Sequence, residues 1–416
     1  MRYLLVNHLA FGRGSVPGRY TARDVWVEDL RAQHEAVSRA GMQLVVASPL
    51  TEVIEPNGAS AVIEIDPKEV GFEHVPLPNY QSFGQYLSVR NQLRCKLREA
   101  MRDAAIVQCG YGGHPVPLGQ VAWPIAGAAN KKRIWVFDGG DPFPQWEFHA
   151  RTIKNPIKRM ARLAQLRRFE RFCATAVAEA DLVFAHNSSV VDRFRSSWHA
   201  GCHQFHRSFV TPELLIGQED LARKQQALRD RSQPLKLIAA GRQIAIKGTD
   251  HVLRAMAAAR KRGADVELDV LGEGEDLPRF KQLAQDLGLD GAVRFHNAVP
   301  YGPRLFEEWE SRHCLIVTNL TSEFSRNLLL GMARGLPLIT YDNPGDGVIA
   351  PNKAGIIVPK GDEAALADAI YDAWADRERL AQVAAVALPI AGRTTLQKTH
   401  QQRAELAFAL AGNHHH

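Results

Sequence analysis

No apolar run in the sequence approaches the roughly 18 residues needed to span a bilayer, and the opening MRYLLVNHLAFGRGS is too short in apolar residues for a secretory leader. A membrane-spanning or secreted protein is therefore not expected; a cytoplasmic one is. Cysteine is sparse. The five present (Cys95, Cys109, Cys173, Cys202, Cys314) form no C-x-x-C pair, and an odd, dispersed set argues against a disulfide framework. Repeats and low-complexity segments are missing too, which excludes solenoid and disordered classes. The excess charge of +6 is mild and no recognised binding motif accompanies it, so nucleic acid is not the expected partner; phosphorylated ligands or an anionic membrane surface fit better.

What is present is a chain of 416 residues with 45% hydrophobic and 23% charged residues, enough for two or three separate cores at roughly 150 residues per domain. Short β-rich runs alternate with helical patterns throughout: YLLVN, LVVASPL, AAIVQC, RIWVFD and DLVFAHN in the first half, LKLIAAG, VELDVLG, VRFHNAV, CLIVTN, PLITYD and AGIIVP in the second. Trp26, Val27, Leu30, His34 and Val37 mark one helical face, and Phe280, Leu283, Ala284 and Leu287 another, with Pro278 in its first turn. Strands separated by helices imply parallel sheets, hence an α/β protein of two doubly wound, Rossmann-like domains facing across a cleft. The expected division is an amino-terminal domain over 1–208, a linker over 209–234, a second domain over 235–385 and a helical tail over 386–412. Residues 413–416 read as the remnant of a purification tag.

The segment LIAAGRQIAIKGTDHVLRAMA reads as strand, loop and helix, with Arg242 and Lys247 in the loop and Thr249 or Asp250 as N-cap. Two cations beside a helix N-terminus form an anion site suited to a diphosphate, because free N–H groups and the helix dipole both favour negative charge. The alternative is a pair of solvated loop charges.

Together with LDVLGEGEDLPRFKQLAQDLGL, VRFHNAVP, LLLGMARGLPLITYD and AGIIVPKGDEAALADAI, this loop gives Leu235 to Ile370 a resemblance to the donor-binding domain of the family-4, GT-B-fold retaining glycosyltransferases. The resemblance implies a nucleotide-sugar-dependent sugar transfer to an acceptor hydroxyl with retention, in cell-envelope glycan or glycolipid synthesis. It places the donor diphosphate on Arg242 and Lys247, the nucleotide against Gly241, Gly272 and Gly274, and the base beside Asn297 to Val299. It implies a UDP- or GDP-linked co-substrate, no other cofactor and no required metal.

The family's two glutamates, separated by seven residues, are not matched. Aligned through MARGLP they fall on Ser322 and Leu330; aligned from Glu323, the second falls on Gly331. Loop residues Ser322, Glu323, Ser325 and Arg326 still precede a helix and remain donor-site candidates. The missing carboxylate motivates two alternatives: a catalytically inactive nucleotide-sugar-binding partner subunit, or another GT-B-type enzyme such as an epimerase or phosphorylase.

Further candidates lie in the first half. The loop with Gly12, Arg13, Gly14 and Gly18 misses the dinucleotide fingerprint, and no acidic residue ends LVVASPL, so hydride transfer is disfavoured and a glycine loop facing the cleft is expected. Asp138 and Asp141 in FDGGDPFPQWE could orient an acceptor hydroxyl or accept its proton, or could cap the following turn and bind backbone. His114 is the other candidate near the reaction centre. His199, Cys202, His203 and His206 are close enough for zinc, but strand alternation would point neighbours to opposite faces, so no metal site is expected. Arg151 to Phe172 is strongly basic with interleaved apolar residues. It fits either a peripheral contact with the inner face of a membrane and a lipid-linked acceptor, or a solvated face of a helix packed on a sheet.

Overall fold

The computed structural model describes residues 1–55, 61–113, 115–138, 141–186, 188–206, 208–299, 302–321, 325–343, 349 and 354–412. The chain forms two units, one of Met1–Arg207 with Gln397–His416 and one of Ser208–Leu396.

The first unit contains, in order, β1 (Arg2–Val6), β2 (Phe11–Arg13), β3 (Tyr20–Arg23), α1 (Asp24–Arg39), β4 (Gln43–Thr51), β5 (Val62–Ile65), α2 (Pro67–Val70), β6 (Glu73–Pro78), α3 (Phe83–Met101), β7 (Ala104–Gly110), α4 (Leu118–Ala128), β8 (Lys132–Phe137), α5 (Phe143–Arg151), α6 (Pro156–Glu179), β9 (Leu182–Ala185), α7 (Ser188–Arg193) and β10 (Cys202–Gln204). Its parallel core runs β6-β4-β1-β7-β8-β9-β10, the doubly wound order in which the chain reverses direction between β1 and β7. Both faces are covered, so the strands are apolar at nearly every position. Leu4, Val6, Val107, Cys109, Trp135 and Phe137 pack under α3, α4 and α6. Tyr3, Leu5, Ile106, Ile134 and Val136 face α1 and the last helix of the chain.

The second unit contains α8 (Gln218–Arg229), β11 (Leu235–Ala240), α9 (Thr249–Lys261), β12 (Val266–Leu271), α10 (Leu277–Asp286), β13 (Val293–His296), α11 (Pro303–Glu310), β14 (Cys314–Val317), α12 (Arg326–Ala333), β15 (Leu338–Tyr341), β16 (Ile356–Val358), α13 (Glu363–Ala375) and α14 (Arg377–Arg393), followed by α15 (Leu396–Gly412), which packs in the first unit. Its sheet, β13-β12-β11-β14-β15-β16, is parallel throughout. Alternation decides the faces: Leu237 lies with α9 and α13, and its neighbour Ile238 with α12 and α14.

Two segments differ from the expected division. Residues 209–234 hold α8, whose Leu221 and Leu228 are buried and whose Gln225 donates to the Ala381 carbonyl of α14, so they pack as part of the second unit. The carboxyl-terminal helices separate: α14 covers the second sheet, while α15 returns to the first unit, where Arg403 donates to Gln108 and His400 pairs with Asp29. The Gln108 side chain also accepts from the buried Tyr3 hydroxyl.

Candidate functional site

In an open α/β sheet, ligands bind beyond the carboxyl ends of the strands where the strand order reverses. In the second unit that point lies between β11 and β14, and the chain leaving β11 is Gly241 to Gly248. Its shape is set by close backbone approach. Gly272, at φ +128°, sits so near Gly241 that a Cβ on it would come 2.0 Å from the Gly241 carbonyl oxygen. A Cβ on Gly274 would come 2.2 Å from the Gln243 carbonyl oxygen. The loops after β11 and β12 therefore press together as backbone on backbone, joined by Gly241 N–H to Leu271 (3.0 Å) and Gln243 N–H to Glu273 (2.9 Å).

Gln243 pins this arrangement from inside. Its side chain is buried, donates to the carbonyls of Gly241 (2.9 Å) and Leu271 (3.3 Å), and accepts from the Thr249 hydroxyl (2.9 Å). Asp276 accepts from Ala245 N–H at 2.6 Å, and Thr318 beyond β14 donates to the carbonyls of Lys247 and Gly248. Gly248, at φ +71°, is the N-cap of α9, which corrects the expected capping by Thr249 or Asp250. The left-handed conformation turns the chain into the helix, and the Thr249 hydroxyl is taken by Gln243.

With the loop backbone held in this way, Arg242 projects exposed and without an ion pair among the described residues, and Lys247 is half-buried at the entry to α9. Nearby, the buried Asp269 carboxylate accepts from Arg294 (3.1 Å) and His296 (2.6 Å) and pairs with Arg312 (2.6 Å). Burial opposes its ionised form, but the hydrogen bonds from Arg294 and His296 and the charges of Arg312 and Arg294 hold its carboxyl below the ordinary range. The network anchors His296, whose carbonyl accepts from Gly272 N–H, and so fixes the strand end that leads to the exposed Asn297 and half-buried Val299.

Ser325 is the N-cap residue of α12, and Arg326 stacks over Phe209 with its guanidinium 4.8 Å from the ring. Leu330 and Gly331, the two positions at which the second family glutamate would fall, are both inside the core. Leu330 is 4% exposed, and a Cβ on Gly331 would come 2.7 Å from Leu315. Ser322 and Glu323 lie outside the described residues, as does His114.

In the first unit the reversal point is between β1 and β7. A cavity of about 300 Å³ lies there, lined by Asn7, His8, Gly112, Asp138 and Trp146 among others. Gly112 makes room for the His8 ring, which a Cβ would approach to 2.1 Å. Asp138 faces this cavity with its carboxylate 3.7 Å from His186 and about half exposed. Asp141 does not share its environment. One carboxylate oxygen accepts from Phe143 N–H at the start of α5, and the other from Arg193 (2.6 Å), which also binds Glu170. Of the two expected roles, Asp141 fills the capping one.

The expected glycine loop is corrected as well. Gly12 and Arg13 lie in β2, which forms a hairpin with β3, and Arg13 makes an exposed ion pair with Glu52. A Cβ on Gly12 would meet the Thr21 hydroxyl at 2.2 Å and one on Gly14 the Arg19 carbonyl at 2.5 Å, so these glycines serve strand packing. In the histidine-rich segment, both His199 ring nitrogens bond to backbone at Val177 and Gly201. Cys202 and His203 are consecutive in β10, and among the described residues no group of three or more His, Cys, Asp or Glu is placed to hold a metal.

Sequence reasoning missed Gln243, Thr318 and His8. A polar residue two places beyond a glycine at the end of a central strand is the signal that would have found Gln243; Thr318 and His8 acquire meaning only through the strand order.

The geometry defines two doubly wound units, each with a candidate site at its reversal point. Residues 234–376 match the family Glycosyl transferases group 1. Over nearly the whole chain the fold is that of GT-B glycosyltransferases. It superposes on Anabaena HepE in complex with UDP with a TM-score of 0.66 at 16% identity, covering 98% of this chain and 100% of that one. For the sucrose-phosphate synthase of Thermosynechococcus elongatus the TM-score is 0.68 at 17% identity, covering 98% of each. Among curated sequences the chain is 28% identical to a D-inositol 3-phosphate glycosyltransferase of Corynebacterium urealyticum over 178 residues, covering 41% of this chain and 42% of that protein. It is 31% identical to an exopolysaccharide phosphotransferase of Streptomyces coelicolor over 140 residues, covering 32% and 14%. The matched region thus spans less than half the length of these two relatives. Residues 234–376 are thus similar to group 1 glycosyltransferases, and the chain as a whole has the GT-B fold.

Proposed function

We propose that the protein transfers a sugar from a UDP- or GDP-linked donor to an acceptor hydroxyl, with retention, in the synthesis of a cell-envelope glycan or glycolipid. The observation that carries this reading is the Gly241–Gly248 loop. Its backbone is locked by Gln243, Gly272 and Gly274, and it presents Arg242 and Lys247 at the entry to α9. Cleavage of a sugar–phosphate bond leaves negative charge on the departing oxygen, and fixed cations stabilise that charge in the transition state without a metal. The UDP bound by HepE supports a uridine nucleotide as the first donor to try. In the first unit, Asp138 orients the acceptor hydroxyl, and the departing diphosphate takes its proton. The peripheral membrane contact rests on Ile157 and Met160, 77% and 69% exposed beside Lys158 and Arg159 at the start of α6.

The test is thermal-shift screening with UDP, GDP, ADP, CMP and NAD, since a ligand of the folded state raises the midpoint. A shift with one nucleoside diphosphate that is lost in Lys247→Ala supports the reading; no shift with any of them overturns it. The buried Leu330 and Gly331 favour one second reading, a nucleotide-sugar-binding subunit without turnover. Donor binding without product across an acceptor panel would select it.

A further inference from the structure

A groove of about 1060 Å³ lies in the first unit between α3, α4 and α6. Its floor is apolar, formed by the buried Met101, Val121, Leu166 and Phe169. Its walls are cationic: Arg94, Arg98, Arg102, Lys131, Arg162 and Arg168 all line it. No Asp or Glu lines it, and none of the six cations has an ion-pair partner among the described residues. Arg94 and Arg98 of α3 and Arg102, its C-cap, follow one another at i, i+4 and i+8, which spaces them about 6 Å apart along one side of the helix. Phe83, at the first turn of α3, lines the groove and is 57% exposed.

Each feature narrows the occupant. Six unpaired cations around one concavity repel one another in the free protein and are relieved by an anion of more than one charge. The apolar floor gains only from an apolar group laid upon it. A purely polar acidic glycan leaves that floor and Phe83 wet, and a bilayer surface does not reach buried side chains at the bottom of a groove. A molecule that is hydrocarbon at one part and phosphate at another satisfies both. The groove shares Gly113 and Trp146 with the cavity that holds His8 and Asp138, so a molecule lying in it can present its head group there.

We propose that this groove binds the hydrocarbon chain and phosphate of a lipid-phosphate acceptor; the acceptor role rests on the reading of the chain as a sugar transferase. Dodecyl phosphate, kept below its micelle-forming concentration, is the probe. Its binding to the intact protein is followed by tryptophan fluorescence, because Trp146 lines the groove. Saturable one-to-one binding is expected, weakened at least about tenfold in both Arg94→Glu/Arg98→Glu and Arg162→Glu/Arg168→Glu, and not competed by inorganic phosphate at equal concentration. The two variant pairs sit on different helices, so a folding defect in one leaves the other informative. Equal affinity for dodecyl maltoside overturns the phosphate assignment. Binding of hexagalacturonate in place of dodecyl phosphate overturns the lipid, and binding only to phosphatidylglycerol vesicles overturns the single-chain site. UDP binding is measured on the same samples: its loss with dodecyl phosphate binding retained removes the transfer reading and leaves the amphiphile site standing, and the converse removes the amphiphile site alone.

Discussion

Gly272 faces Gly241 at a distance that admits no side chain: a Cβ on the one would come 2.0 Å from the carbonyl oxygen of the other, and Gly272 is held at φ +128°. Both constraints act on the same residue, so Gly272→Ala cannot relax into place. The expected cost is roughly 1–3 kcal/mol from backbone conformation, with further loss from displacing the Gly241 carbonyl. Urea unfolding and UDP calorimetry on the variant should show lower stability and weaker nucleotide binding together. A variant with wild-type affinity would mean that the loop tolerates movement and that its shape is not what holds the diphosphate.

Gln243 offers a cleaner separation. It bonds two carbonyls and the Thr249 hydroxyl from a buried position, and Gln243→Leu leaves the buried Thr249 hydroxyl without that partner, while the Leu271 carbonyl keeps Gly241 N–H. Each unsatisfied buried group costs about 1–3 kcal/mol, whereas Arg242→Ala removes an exposed side chain with no ion pair among the described residues and should leave the unfolding free energy within about 0.5 kcal/mol of the wild type. The expected pattern is therefore opposite in the two variants: stability falls for Gln243→Leu, and nucleotide affinity falls without loss of stability for Arg242→Ala.

Asp138 and Asp141 should likewise part. The Asp141 side chain is 5% exposed and bound to Arg193, so Asp141→Ala removes one of the two carboxylates on that guanidinium, leaving Glu170, and the acceptor of Phe143 N–H; the expected cost is on the order of 1–3 kcal/mol. Asp138→Asn keeps the shape and should preserve the melting temperature while lowering kcat for transfer. Equal effects of the two substitutions on stability would remove the distinction between the cavity carboxylate and the capping one.

Much of this was legible in the sequence because parallel strands covered on both faces read as continuous apolar runs. LKLIAA and VELDVL needed no partner to be recognised, and the loop between them carried its cations in plain view. The hairpin of β2 and β3 was not legible. Glycines at a strand crossing and glycines in a nucleotide loop look the same until the partner strand supplies the Thr21 hydroxyl and Arg19 carbonyl that exclude a side chain. β6, EHVPLP, was hidden by its two prolines. The fate of α15 was also out of reach, since its return to the first unit depends on buried contacts of Arg403 and His400 with residues about 300 or more positions away. The groove between α3, α4 and α6 needed three helices from separate parts of the chain.

His313 links stability to pH. Burial and the surrounding cations push its imidazole down to about 4, and its Nδ1 accepts from Lys236 N–H at 3.1 Å, which requires the neutral ring. The unfolded chain, with an ordinary histidine, binds a proton near pH 6.5 that the folded chain refuses until about pH 4. Stability from this group is thus present above about pH 6.5 and is lost as the pH falls toward 4, by an amount on the order of 2–3 kcal/mol. His313→Asn keeps an acceptor for Lys236 and does not titrate, so its unfolding free energy should fall less than that of the wild type over this window. Parallel pH profiles would show that the ring is not held neutral.

Leu330 carries the sharpest consequence for the donor site. It sits in α12 within the core formed by Leu315, Leu329 and Leu338, and its neighbour Gly331 is pressed against Leu315. Installing the missing carboxylate by Leu330→Glu therefore puts a carboxyl among the apolar side chains of that core, and it should disrupt the packing at a cost of several kcal/mol. Donor affinity would not rise, because a carboxyl drawn into that core cannot accept from a ribose outside it. A stable Leu330→Glu protein with improved UDP affinity would reverse the argument, placing the side chain at the ligand and making leucine a loss of function. The expected unfolding instead means that α12 presents this position to the sheet and that, if the donor is bound, its ribose is held by other groups.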